Sequence, residues 1–87
     1  MTMGNISMEE RLEFAAEKGK FFCYLDVWAK TIKDWERNGL KLTATPIGKG
    51  HFHCRISWED AKPEEGKPLN QANHLWLMAT EANATVK

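Results

Sequence analysis

The sequence predicts an α+β domain made of two N-terminal helices, an antiparallel β-hairpin and a C-terminal segment that is a helix or a third strand. Three observations carry that prediction. Apolar residues recur at helical spacing from Phe21 to Trp35, Asn38-Gly39 interrupts the run, and beyond that pair the apolar period falls to two. The chain has 87 residues, enough for a single domain, 1–87, with one hydrophobic core.

The first six residues are polar and without pattern, which predicts disorder over 1–6. Ser7 followed by Glu10 has the form of a capping box, in which hydroxyl and carboxylate each satisfy a free amide of the first turn. A helix therefore starts near Met8. Met8, Leu12, Ala15 and Ala16 give it an apolar face, and Gly19 supplies the left-handed residue that ends it after residue 18.

Phe21, Leu25, Trp28, Ile32 and Trp35 step by 4, 3, 4 and 3, the spacing of one stripe on a helix. The prediction is a second helix from Phe21 to Arg37. Asp26, Lys30 and Asp34 then fall on its opposite side, each charge one turn from its opposite. Asn38-Gly39 is the stop.

Leu40, Leu42 and Ala44 alternate with Lys41, Thr43 and Thr45, and Phe52, Cys54, Ile56 and Trp58 alternate with His51, His53, Arg55 and Ser57. These are two strands, joined by a loop at Pro46-Ile47-Gly48-Lys49-Gly50. Residues 59–68 are charged and broken by two prolines and a glycine, the composition of an exposed loop. Asn70 can cap a helix through Ala82, favoured by the intrinsic preferences of Gln71, Ala72, Leu75, Leu77, Met78 and Ala79. The alternative is a third strand over His74 to Thr80.

Twelve basic residues balance twelve acidic ones, so no global field drives binding to phosphate or anionic lipid. The apolar run Leu75-Trp76-Leu77-Met78 is far short of the roughly 20 residues of a membrane span. Glu9, Glu10 and Arg11 stand where a signal peptide needs apolar residues, which predicts a cytoplasmic protein without membrane contact. Two cysteines, Cys23 and Cys54, make no disulfide framework, and both are expected reduced.

Few residues suggest chemistry. His51 and His53 project from one strand face and are half of a metal-ligand set, with His74 or a distant carboxylate needed to extend it. Cys54 belongs to the other strand face, away from both imidazoles, and Gly48-Lys49-Gly50 precedes no helix, so neither a nucleophilic pair nor a phosphate loop forms. The expectation is a protein that is not an enzyme and holds no cofactor. Glu9, Glu13 and Glu17 make an acidic ridge on the first helix, a solvated face or a surface for a basic partner. Four tryptophans are many for so small a core, and Trp76 has the weakest claim to burial. Leftover aromatic surface points to a protein interface or a homodimer seam.

Thr31-Ile32-Lys33-Asp34-Trp35-Glu36-Arg37-Asn38-Gly39-Leu40 resembles the recognition-helix segment of winged-helix regulators of the MerR and excisionase kind, and Gly50 with Arg55 resembles the wing that follows. The likeness spans residues 31–58 and departs upstream, where Asp26-Val27-Trp28 stands in place of a Gly-Val-Ser turn. It implies that Thr31, Lys33, Arg37, Lys49 and Arg55 face DNA phosphates. Two functions are therefore expected. The first is a small non-enzymatic interaction module with an unidentified protein partner, of the size common among accessory and mobile-element proteins. The second is a DNA-binding winged helix using the second helix and the hairpin.

Overall fold

Met8–Glu17 forms α1 in the computed structural model, which describes residues 8–85. The disorder expected over 1–6 and the Ser7 cap lie outside the described residues. Leu12 and Ala16 are the fully buried positions of α1, and Gly19, at φ +82°, turns the chain out of it. That turn is held from the far end of the chain, where the Asn83 side-chain amide donates to the Gly19 carbonyl at 3.0 Å.

The predicted helix from Phe21 to Arg37 is corrected by the structure. Phe22–Trp28 is a strand, β1, and only Ala29–Arg37 is helical, as α2. The stripe that predicted one helix mixed two faces of a strand, because Leu25 and Trp28 are an odd number of residues apart. Val27, which the stripe skips, is 0% exposed, while Trp28 is 57% exposed. Cys23, Leu25 and Val27 alternate inward, and the segment is rich in aromatic residues that favour a pleated surface. Pairing with a partner strand along all of its length then overrides a helical spacing.

The change from strand to helix takes no loop. Trp28 caps α2 with extended backbone and no side-chain bond, and the Ala29 N–H donates to the Gly50 carbonyl in the hairpin turn at 3.0 Å. That bond satisfies one of the free amides of the helix start. Asn38-Gly39 does stop α2: Gly39 adopts φ +89°, and the Leu40 N–H returns to the Trp35 carbonyl at 3.1 Å.

Lys41–Gly48 and His51–Ser57 are β2 and β3, an antiparallel hairpin as expected. Its turn is tighter than Pro46–Gly50, because Pro46 and Gly48 still pair with β3 and Ile47 falls in the register shift between them. The sheet order is β1-β3-β2, all antiparallel, which puts β3 in the centre and leaves β1 and β2 as edges. Gln71–Thr85 is α3, so the last segment is a helix and the strand alternative falls. Its cap is reciprocal: the Asn73 N–H donates to the Asn70 side chain at 2.7 Å and the Asn70 N–H to the Asn73 side chain at 3.0 Å.

The chain is thus α+β in the order α1-β1-α2-β2-β3-α3, not two helices followed by a hairpin. The helices supply Leu12, Ala16, Trp35, Ala72, Leu75 and Ala79 to one core with Val27, Cys54, Ile56 and Trp58 from the sheet side. Trp58 anchors it. Its indole N–H donates to the Lys20 carbonyl at 3.0 Å and its backbone N–H to the Phe21 carbonyl at 2.9 Å, locking the end of β3 to the entry of β1. Among the described residues no buried side-chain nitrogen or oxygen lacks a partner, and no helix is long and apolar enough to cross a membrane.

Candidate functional site

With the helices gathered on one face, the other face of the sheet is open. β1 projects Phe22, Tyr24, Asp26 and Trp28 onto it, and β3 projects His51, His53 and Arg55. Register sets the contacts. Trp28 pairs with His51, and their rings stack at 4.5 Å; Asp26 pairs with His53, whose Nδ1–H donates to the carboxylate at 2.6 Å. The His53 ring also stacks on Tyr24 at 5.8 Å, and Phe22 meets Tyr24 edge to face at the same separation. Arg55 lies over the Phe22 ring at 4.6 Å, a cation–π contact. Yet Tyr24 and Phe22 stay 55% and 38% exposed, so this ladder of rings is fixed in place without being covered.

The charges on this face are answered internally. Arg55 reaches Glu59 at 3.8 Å, Lys41 reaches Asp60 at 3.0 Å, and Asp26 is engaged by His53. The surface is therefore aromatic and close to neutral.

The two edges of the sheet differ. β2 carries Lys41, Pro46 and the register shift beside it, devices that discourage another strand from pairing. β1 runs straight for seven residues without lysine, proline or bulge, and only β3 pairs with it. Along its outer side, between it and α1, runs a groove of about 350 Å³. Arg11, Phe14 and Lys18 line one wall and Cys23, Tyr24 and Leu25 the other, with Lys20 at the end. No carboxylate lines it, and among the described residues no ion pair joins Arg11, Lys18 or Lys20 to an acid.

Burial pushes the Cys23 thiol above its ordinary pKa, against the opposing pull of the Tyr24 carbonyl and of Arg11 and Lys20. The Cys54 thiol, fully buried under the sheet, is raised for the same reason, with the Asp26 charge adding to it. Both cysteines are free. Neither meets a base that would make it a nucleophile.

The residues singled out from the sequence scatter. His51 and His53 do share the open face, but one is stacked on Trp28 and the other is held by Asp26. Among the described residues no group of three or more His, Cys, Asp and Glu side chains assembles to hold a metal. Glu9, Glu13 and Glu17 are exposed on α1, and Trp76 is half-buried against the core. Lys33 and Arg37 sit one turn apart beside a shallow hollow on α2, Thr31 is half-buried, Lys49 is in the hairpin turn and Arg55 is on the open sheet face. The segment before α2 is a strand, where a helix-turn-helix has a helix.

What the sequence reading missed is the pairing of an aromatic sheet face with a basic groove. Trp28 was assigned to the core, and Phe22, Tyr24, Arg11, Lys18 and Lys20 were assigned to nothing. The available signal was the alternation of Cys23, Leu25 and Val27 with Phe22, Tyr24 and Trp28. Comparisons with known proteins add no assignment: no family model, no curated protein and no solved structure matches the chain.

Proposed function

We propose that this protein is a small non-enzymatic interaction module that binds a protein partner through the β1 side of its sheet. The observation that carries this reading is β1 itself, a straight edge strand with no second neighbour and with Tyr24 and Trp28 more than half exposed. Exposed aromatic surface rimmed by polar groups is the usual composition of a protein interface. The neutralised charges of the same face suit a protein partner better than a phosphate backbone, which draws its affinity from unpaired cations. Free thiols without a base and the absence of a metal-holding group among the described residues give catalysis no support.

The second reading, duplex DNA bound through α2 and the hairpin, has one observation in its favour: Lys33 and Arg37 share the exposed side of α2. One pair of experiments separates the two. A phage-displayed library of random twelve-residue peptides, selected on the full chain, should yield clones whose binding drops at least tenfold with Tyr24→Ala or Trp28→Ala. A gel shift with random-sequence duplex DNA at low salt should show no complex. Failure to select any clone, or clones indifferent to both substitutions, sinks the protein-partner reading. A duplex complex that dissolves steeply with salt and is lost in Lys33→Glu replaces it with the DNA reading.

A further inference from the structure

We infer that the groove between α1 and β1 takes an extended, acidic peptide segment, which adds to the sheet as a fourth strand beside β1. This rests on the reading above and names the chemistry of the partner.

Two independent features meet in the groove. The first is geometric. β1 pairs on one side only, so its outward main-chain N–H and C=O groups are available, and no bulge or proline disturbs their spacing. Phe22, Cys23, Tyr24 and Leu25 line the groove, a run of four residues, or roughly 13 Å at the rise of a strand. An added strand would find α1 as its second wall, with the exposed Phe14 ring to receive alternate apolar side chains. The second feature is electrostatic. Arg11, Lys18 and Lys20 bring three cations to the rim with no carboxylate among the lining residues. In a chain of net charge zero that is a local excess, and it selects an acidic segment.

The main chain of β1 decides between anions. A strand edge presents acceptors as well as donors, and only a peptide backbone answers both. A phosphodiester strand has acceptors alone and would leave the carbonyls of β1 without partners. A second copy of this chain is also disfavoured. Antiparallel pairing of two β1 edges places both α1 helices on the same face of the joined sheet, so each copy brings its own Arg11, Lys18 and Lys20 to the seam. Like charges at that seam oppose the pairing.

The test uses the selected peptides as synthetic, fluorescein-labelled probes, with anisotropy as the readout on the full-length protein. The consensus should be rich in Asp and Glu. Reversing those charges to Lys should weaken binding at least tenfold, as should Arg11→Glu combined with Lys18→Glu, both exposed positions whose variants are checked for fold by circular dichroism. N-methylation of alternate peptide amides, in one of its two registers, should also cost at least tenfold, because it removes the donors a strand must supply. Hydrogen exchange should show new protection at Phe22–Leu25, and bound peptide should slow alkylation of Cys23. A neutral or basic consensus overturns this inference while leaving a protein-binding module in place. An acidic consensus with no sensitivity to N-methylation in either register overturns strand addition. Binding of an oligothymidylate that displaces the peptide and is lost in the Arg11→Glu, Lys18→Glu variant assigns the groove to single-stranded nucleic acid instead. If no peptide is selected at all, the broader reading fails with it.

Discussion

Val27 and Trp28 are neighbours on one strand, and they live in different media. Val27 is sealed under the helices at 0% exposure, whereas Trp28 stands on the open face at 57%, touching His51 and otherwise water. The covered face is apolar and closed over by three helices; the open face holds the rings, the histidines and the paired charges. The difference shows that aromatic content by itself does not locate a core. Which side of the sheet a ring falls on is set by strand parity, and parity divides the residues that hold this fold from those left free to bind.

Trp58 offers the sharpest way to break that comparison. It lies 1% exposed with both its N–H groups bonded to the entry of β1, so Trp58→Ala opens a large cavity and releases the β1 junction. The expected cost is about 3–5 kcal/mol, measured by urea unfolding at equilibrium. For a domain of this size that is a large share of its stability. A loss near that of an exposed ring would mean that the covered face is not the core.

The adjacent pair tests the same division at one strand. Val27→Ala removes two buried methyl groups and should cost about 2 kcal/mol. Trp28→Ala removes a far larger side chain and should cost less than about 1 kcal/mol, since most of its surface already faces water and only the stack on His51 is lost. Equal losses, or a greater loss at Trp28, would invert the assignment of faces.

The same pair explains how far the fold was legible. Where alternation and turn chemistry agreed, as at the hairpin and at Asn38-Gly39, the elements follow from the residues. α3 was open to two readings by periodicity, and its preference for helix came from composition and from Asn70, which the structure turns into a reciprocal cap with Asn73. β1 was misread because Phe21, Leu25, Trp28, Ile32 and Trp35 satisfy a helical period by chance across a strand-to-helix junction that has no loop to mark it. Only a long-range contact, seven residues of β1 paired along β3, decides between the two periods. The candidate site was hidden for the same reason. A strand edge exists only once its partner is placed, and Arg11, Lys18 and Lys20 come to a common rim only after α1 has packed beside that edge.

Cys23 and Cys54 carry the comparison to its smallest effect. Both lie on the helix-covered face of the sheet, but Cys54 is on the central strand and fully buried, while Cys23 is on the edge strand and half-buried at the groove. Native protein should therefore react with a small alkylating reagent at Cys23 alone, with Cys54 reacting only after unfolding. Burial is the main influence on Cys23 and favours the neutral thiol, whereas Arg11 and Lys20 favour the thiolate and offset part of it. The raised pKa fixes the sign. The folded protein prefers the protonated form, so this preference is fully present below the pKa of the unfolded thiol and is lost as pH rises through the folded value. The alkylation rate should accordingly reach half its maximum at a higher pH than for a free cysteine. Replacing Arg11 and Lys20 with Gln should move that midpoint higher still, because it removes the only nearby charges that assist ionisation. A midpoint at or below that of a free cysteine would mean that the cations outweigh burial, and the edge of β1 would then be an electrostatic surface more than a half-closed groove.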